Sequence, residues 1–280
     1  MSDYEKIKAV NVSTLLELRR SPKHYRHRLT NPRKETDALR LGTAAHVAVL
    51  EPDRFLREFV LWESTDPETG KTRQRRGEAW ESFQAENAGK KIITSKDYEE
   101  AVRYAKAIRG DRTAMQYLVA GEPEVILEWE HEPTGIECKG RIDWHTDIDG
   151  KAYLVDLKTA RSAAPWAFAR DAAKRDYHVR LAWYADAYEK VYGVAPTVVV
   201  PVVEKEEPYD VVTYIVPDDV LDVGREVYGE LMDTLAACQR ENKWPGQGSG
   251  EQYLTLPAWA VPSDDTDLDD LGLVGWQESA

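Results

Sequence analysis

Between residues 122 and 158 three strand-forming runs are separated by two short turns, and this stretch limits the possible folds more than any other. The runs cover about 122–131, 136–146 and 151–158, joined by Pro133-Thr134-Gly135 and by Asp147-Ile148-Asp149-Gly150. Both connectors carry turn chemistry, so the runs read as a meander of neighbouring strands. Two later runs, 198–203 and 211–216, read as further strands on either side of the charged turn 204–208. Helical patterns precede the meander, follow it across 163–192 with a break at 174–176, and close the chain over 218–240. Helices, meander, helices, strands, helix: that order specifies an α+β chain, a mixed central β-sheet flanked by helices.

The N-terminal part reads as mainly helical. Ser13 or Thr14 caps a short helix, with Thr14-x-x-Glu17 as a capping box, and Pro22 ends it before a basic loop running to about 37. From Arg40 to Leu50, Leu41, Ala44, Ala45, Ala48 and Val49 recur at helical spacing, which predicts a buried helix whose small residues allow close packing. Residues 63–77 read as a polar loop or flap. Helices follow over 78–88 and over 95–109, the latter capped by Ser95 with Tyr98, Val102, Ala105 and Ile108 on one side. One domain then spans 1–260, with a helical part over 1–120 and a core over 121–240, and 261–280 reads as an acidic, mobile tail. Within the segment after Asn242, Trp244, Tyr253, Trp259 and Trp276 suggest that part of it packs on the body.

Composition excludes some classes. No apolar run approaches the roughly 18–20 residues of a bilayer span, and the polar N-terminus has no signal-peptide pattern, so a cytoplasmic protein without a membrane partner is expected. Cys138 and Cys238 are the only cysteines, short of the about four that a cysteine-only zinc or iron–sulfur site takes; they read as reduced thiols. A net charge of −13 argues against a nonspecific nucleic-acid coat. Charge is segregated, however: basic runs lie at 19–28 and 71–76, and acids concentrate at 264–270. Each basic run is either a solvated surface or a DNA contact.

Chemistry concentrates in the meander. Gly140-Arg141-Ile142-Asp143 lies on its second strand and Val155-Asp156-Leu157-Lys158-Thr159 on its third. Asp156 and Lys158 are two apart, so on one strand their side chains share a face. Carboxylates bind a hard cation through oxygen, and an ammonium can orient water or offset charge building on phosphorus. With Asp143 alongside, the set suits metal-dependent phosphodiester cleavage; a buried Asp–Lys salt bridge or a solvent-facing edge strand explains the spacing alone nearly as well. Arg141, Asp143 and His145 alternate onto one face, with Ile142 and Trp144 on the other. His46, in an apolar helix, is either a satisfied core histidine or a metal ligand. Glu124 and Glu128 are each a third carboxylate or an exposed strand charge. Tyr177, Arg180, Leu181, Tyr184 and Tyr188 form a helical stripe that either packs in the core or supports the lysine and the attacked strand.

Four motifs in order give the chain a family resemblance: Leu41-Gly-Thr-Ala-Ala-His46-x-x-x-Leu50-Glu-Pro, Gly140-Arg-Ile-Asp143, Asp156-Leu-Lys158-Thr159, and Tyr177-His178-Val-Arg180-x-x-x-Tyr184-x-Asp-x-Tyr188. Together with Ser13-Thr-Leu-x-x-Leu-x-x-Ser21-Pro22-x-x-Tyr25 they resemble the RecE-type, exodeoxyribonuclease VIII-like exonucleases of the PD-(D/E)XK superfamily, over about residues 11–260. The resemblance implies a restriction-endonuclease-like α/β core and hydrolysis of DNA from a duplex end, commonly 5′-to-3′. It implies Asp143, Asp156 and Lys158 as catalytic residues, and Mg²⁺, with Mn²⁺ as substitute, held by His46, Asp143, Asp156 and the Leu157 carbonyl, with Glu124 as a further candidate. Arg141, Thr159, Tyr177, His178, Arg180 and Tyr184 become DNA-binding or supporting residues. Arg180 departs from the family's usual glutamine, keeping donors but no acceptor.

Relatives of this kind are often phage- or prophage-encoded in bacteria, act beside a single-strand annealing protein (RecT-like), and assemble as homo-oligomers. Two other readings stay open. One is a RecB-like single-strand or structure-specific nuclease, against whose iron–sulfur branch the missing cysteines count. The other is an inactive DNA-binding member of the fold.

Overall fold

Five valines around one proline, in Thr197–Glu204, form a strand buried on both faces at the middle of the sheet. The structure is a computed structural model that describes residues 3–32, 36–63, 65, 70, 73–248, 250–257 and 260. In chain order the N-terminal elements are α1 (Asp3–Lys6), α2 (Val12–Leu15), α3 (Pro22–Thr30), α4 (Asp37–Leu50), α5 (Pro52–Glu58), β1 (Phe59–Trp62), α6 (Glu78–Glu86), β2 (Lys91–Thr94), α7 (Ser95–Gly110) and α8 (Arg112–Met115). The remainder comprises β3 (Glu122–His131), β4 (Ile136–Ile148), β5 (Lys151–Val155), β6 (Lys158–Ala160), α9 (Pro165–Lys174), α10 (Tyr177–Tyr192), β7 (Thr197–Glu204), β8 (Val211–Val216) and α11 (Asp218–Glu241).

The meander β3–β4–β5 is antiparallel, β5 and β6 both run parallel to β7, and β8 pairs antiparallel with β7. The sheet is therefore mixed, with helices on both faces, an α+β architecture. Side chains of β7 alternate between the layers as strand geometry requires. Val199 and Val203 meet α4 and α7, packing with Ala44, Ala45, Ala105 and Ile108. Val198, Val200 and Val202 meet α10, packing with Leu181, Ala182, Ala185 and Tyr188. Each such valine contributes about 1.5–3 kcal/mol by leaving water. A third core joins the N-terminal helices to α10 and α11 through Val12, Leu15, Tyr25, Trp183, Met232 and Leu235.

Several sequence expectations are corrected. Pro22 opens a helix instead of ending one: it occupies the first turn of α3, and the Ser21 hydroxyl accepts the His24 N–H at 3.3 Å. Proline's missing N–H is no loss there, so the expected basic loop is helical up to Thr30. The preceding helix is capped by Asn11, whose side chain accepts from Thr14 N–H at 2.9 Å, in place of Ser13 or Thr14. Thr94, not Ser95, caps α7, and Val102 is exposed while Ala101 and Tyr104 fill the buried face. Helix α5 and the parallel pair β1–β2 had no counterpart in the sequence reading. The expected strand 151–158 is interrupted at Asp156 and Leu157.

Trp244 does pack on the body, stacked on Tyr25 with ring centroids 5.9 Å apart, whereas Tyr253 is fully exposed. Much of the 63–77 flap, Trp259 and the whole 261–280 tail with Trp276 lie outside the described residues. Among the described residues no helix is long and apolar enough to cross a membrane. Cys138 and Cys238 are free and buried, and burial pushes the Cys138 thiol up to about 12.

Candidate active site

The interruption between β5 and β6 has a local cause. β5 pairs with β7 through Val155–Val199, and β6 resumes pairing at Lys158–Val202. Between them the Asp156 N–H donates to the Val199 carbonyl at 2.9 Å. In a parallel ladder the Asp156 carbonyl would next receive the N–H of residue 201. Residue 201 is proline and has none to give. Leu157 turns its N–H to the other edge and donates it to Asp143 Oδ2 at 3.0 Å. One register step beyond the Trp144–Val155 pair, Asp143 lies opposite Asp156. The gap in the ladder thus sits where two carboxylates face each other.

Two basic side chains answer them. His46 arrives from α4, whose Ala44 and Ala45 are fully buried against the sheet, and its Nδ1 stands 3.3 Å from Asp143 Oδ2. Gly42 meets nothing within 4 Å, so the alanines, not the glycine, provide the close approach. Lys158 Nζ forms an ion pair with Asp156 Oδ2, and its ammonium lies 5.2 Å from the centre of the Tyr177 ring. Lys158 is the cation that meets the buried Asp156 carboxylate, and its Nζ also donates to the Leu157 carbonyl at 3.4 Å. The Asp156 side chain is 8% exposed and Lys158 17%.

Burial and charge set the protonation states. Burial opposes the charge on Asp143, but His46 and Lys158 outweigh it and hold the carboxyl at about 2. His46 is also disfavoured as a cation by burial, yet Asp143 raises it above its ordinary value. Burial lifts Asp156 above the usual carboxylate range, with Asp143 adding to the lift and Lys158 opposing it. Lys158 stays raised because Asp156 and Asp143 together exceed its desolvation. The cluster is two acids and two bases sharing one half-buried pocket.

Other sequence candidates are placed as follows. Glu124 lies near the cluster but pairs with Arg141, Nε to Oε2 at 2.9 Å; burial first and Asp143 next raise its pKa. Glu128 is exposed and lies across from Lys139. Asp143 and His145 do not share a face, contrary to simple alternation: Asp143 meets α4, while His145 packs on Tyr188 and Tyr192 of α10. The departure coincides with Glu124 on the neighbouring strand, which has a φ of 55° and drops out of the pairing between Pro123–Trp144 and Val125–Ile142. Arg180 donates to Ser13 Oγ at 2.6 Å, tying α10 to the N-terminal segment. Tyr184 lies against Gly140, where an added Cβ would meet its ring at 3.1 Å, and burial raises its hydroxyl pKa. His178 sits on the first turn of α10 with its pKa lowered by burial, and Thr159 is half-buried opposite Val203.

Sequence reading missed three contributors. Tyr4 lies under two cations, Lys139 Nζ 4.5 Å and the Arg141 guanidinium 5.4 Å from its ring centre. Lys139 also donates to the Tyr4 and Ile7 carbonyls, each at 2.8 Å, so the N-terminal segment is clamped onto β4 beside the cluster. Nothing in the polar opening of the chain announces this. An apolar cavity of about 440 Å³, walled by Phe168, Tyr177, Leu181 and Tyr214, opens directly at Asp156 and Lys158. Pro201 is the third; a proline inside a valine run was a visible signal.

As it stands, no group of three His, Cys, Asp or Glu side chains among the described residues is arranged to hold a metal ion. The donor chemistry nevertheless fits a hard divalent cation. Two carboxylates, an imidazole and the Leu157 carbonyl, 3.4 Å from Lys158 Nζ, belong to one cluster, an oxygen-rich donor set of the kind such an ion takes. Lys158, and His46 when protonated, supply positive charge that a cation would otherwise bring.

Over residues 11–257 the chain matches the family model described as "PDDEXK-like domain of unknown function (DUF3799)". No curated protein matches. Among similar solved structures, a protein of Eubacterium rectale described as a "putative exonuclease" aligns with 98% of this chain and 98% of its own, at a TM-score of 0.59 and 13% identity. At that identity the likeness is one of fold. Another, SSO0001, covers 81% of this chain and 76% of its own at 16% identity, and its TM-score of 0.35 carries no weight. Matched over residues 11–257, the chain belongs to the PDDEXK-like DUF3799 family and has the PD-(D/E)XK nuclease fold.

Proposed function

We propose that this protein is a metal-dependent DNA exonuclease of the RecE type, hydrolysing phosphodiester bonds from duplex ends. One observation carries the reading: His46, Asp143, Asp156 and Lys158, drawn from 113 positions of sequence, converge at the gap between β5 and β6. Asp143, Asp156, His46 and the Leu157 carbonyl would hold Mg²⁺, with Mn²⁺ able to substitute. When bound, the ion supplies Lewis-acid polarisation and lowers the pKa of water. The remaining work falls to the chain itself. Lys158, steadied over Tyr177, presents an ammonium to the water or to a phosphoryl oxygen, where charge develops. Tyr184 backs the Asp143-bearing strand at Gly140, and Arg180 fixes α10 to Ser13.

In this reading the domain of residues 1–260 acts as one unit and resection runs 5′-to-3′. The exposed strand passes to a RecT-like single-strand annealing protein, and protomers associate with one another. The setting is the cytoplasm of a bacterial cell, with the gene of phage or prophage origin. The motif order supports these particulars.

The test compares linear with covalently closed duplex DNA in Mg²⁺, using wild type, Lys158→Ala and an EDTA control. Linear DNA alone is expected to disappear, and both the substitution and the chelator are expected to abolish its loss. If wild type leaves both substrates intact in Mg²⁺ and Mn²⁺, the reading fails and an inactive or partner-dependent member of the fold takes its place.

A further inference from the structure

A second charged cleft lies on the N-terminal side of the molecule, away from the residues already described. It has a volume of about 490 Å³ and is walled by Arg40 of α4, Arg75, Trp80 of α6, and Lys90 and Lys91 at the start of β2. Four basic side chains thus meet in one place on a chain whose net charge is −13. Among the described residues, Asp37 lies 3.3 Å from Arg40 and Glu58 4.0 Å from Lys91.

The cleft is built, not merely lined. Trp80 is held edge-on by Trp62 at 5.0 Å and alongside Phe83 at 6.4 Å. The Arg75 guanidinium lies over the Trp80 ring at 5.6 Å, and its Nη2 is buried with no hydrogen-bond acceptor. A guanidinium fixed on an aromatic face keeps its N–H fork ready for a planar or tetrahedral oxyanion. A buried cationic donor left without an acceptor asks for an anionic oxygen.

We infer that this cleft is a second, non-catalytic site that binds the phosphates of a DNA duplex and holds the arm leading to the reaction centre. The inference rests on the nuclease reading for its role, and on this cleft alone for its ligand. Arg40 and His46 are six residues apart on α4, so they are separated by about 9 Å along its axis. That distance is about three steps along one strand of a duplex. Four cations contributed by three separate segments suit a row of phosphates better than one small anion.

The experiment is fluorescence anisotropy of a labelled 20-base-pair duplex over a series of salt concentrations, in a Lys158→Ala background so that the DNA is not consumed. Each lost phosphate contact should lower the slope of log affinity against log salt by about one. Arg75→Gln is expected to lower it by about one and weaken binding. Lys90→Gln with Lys91→Gln is expected to lower it by about two, and Arg75→Lys to restore most of the Arg75→Gln loss. Thermal melting checks that each variant folds. If Arg75→Gln fails to fold, the exposed Lys90–Lys91 pair carries the same test.

Slopes and affinities unchanged from the background would overturn the inference. So would a second result, with inorganic phosphate at constant ionic strength raising the melting temperature of the background but not of Arg75→Gln while duplex affinity is equal in both. The cleft would then take a free anion. Binding is read without hydrolysis, so failure of the nuclease reading leaves these slopes interpretable, and failure of the cleft leaves cleavage by the Lys158 enzyme untouched.

Discussion

His46 and Lys158 each serve as counter-ion to one carboxylate, and the same two side chains would have to change partners when a divalent cation enters. For His46 the exchange has a definite pH sign. Its pKa is raised by Asp143 against the opposing effect of burial. In the metal-free protein the stabilisation from this pair is fully present below the unfolded value of about 6.5 and is lost as pH rises through the raised folded value. A metal needs the neutral imidazole, so its binding runs the other way. Calorimetric titration with Mn²⁺ is expected to show affinity tightening as pH rises above about 6.5. In His46→Gln the affinity should be weaker by about tenfold or more and the pH slope flatter. Equal slopes in the two proteins would remove His46 from the metal-binding set. At this scale the residue types were legible in the sequence, since Asp143, Asp156, Lys158 and His46 lie in short motifs. Their partners were not: Ser13 for Arg180, and Tyr4 for Lys139 and Arg141, are joined only by folding.

Among the secondary-structure elements, β7 shapes the reaction centre without contributing a reacting group. Pro201 withholds one ladder bond from the Asp156 carbonyl, and the Asp156–Leu157 segment is freed to bond sideways to Asp143. Pro201→Val restores the missing donor. The new bond is worth about 1 kcal/mol, and the loss of proline's restraint on the unfolded chain offsets most of it. Stability in urea is therefore expected to stay within about 1 kcal/mol of wild type, while DNA hydrolysis falls by about tenfold or more as Leu157 is drawn back toward the ladder. Unchanged hydrolysis in a folded variant would mean that the gap has no part in the chemistry. The meander itself was readable because its turns are local, and α10 because its period is. The gap was not readable, because the bond that fails belongs to a strand more than forty positions further on. Helix α3 was hidden for a different reason: Ser21-Pro22 fits a helix stop as well as a start.

For the molecule as a whole, element order sufficed to give the class, a mixed sheet between helices. The β1–β2 pair was beyond reach, since two four-residue runs separated by a polar stretch carry almost no periodic signal. Net charge likewise misleads when read alone, because the cations that matter are gathered at Arg40, Arg75, Lys90 and Lys91. The docking of α4 on the sheet also has a kinetic side. His46 precedes every strand of the main sheet, whereas Asp143, Asp156 and Lys158 are embedded in it. The reacting group is whole only after contacts of long sequence separation close, and such contacts form slowly. During refolding from denaturant, far-UV ellipticity is expected to recover before hydrolysis. Hydrolysis should rise together with the fluorescence change of buried Trp144 and Trp183. Activity that returned ahead of that signal would show the helix seated before the core around it. Catalytic competence in this chain is, on this view, a clock for the last packing event.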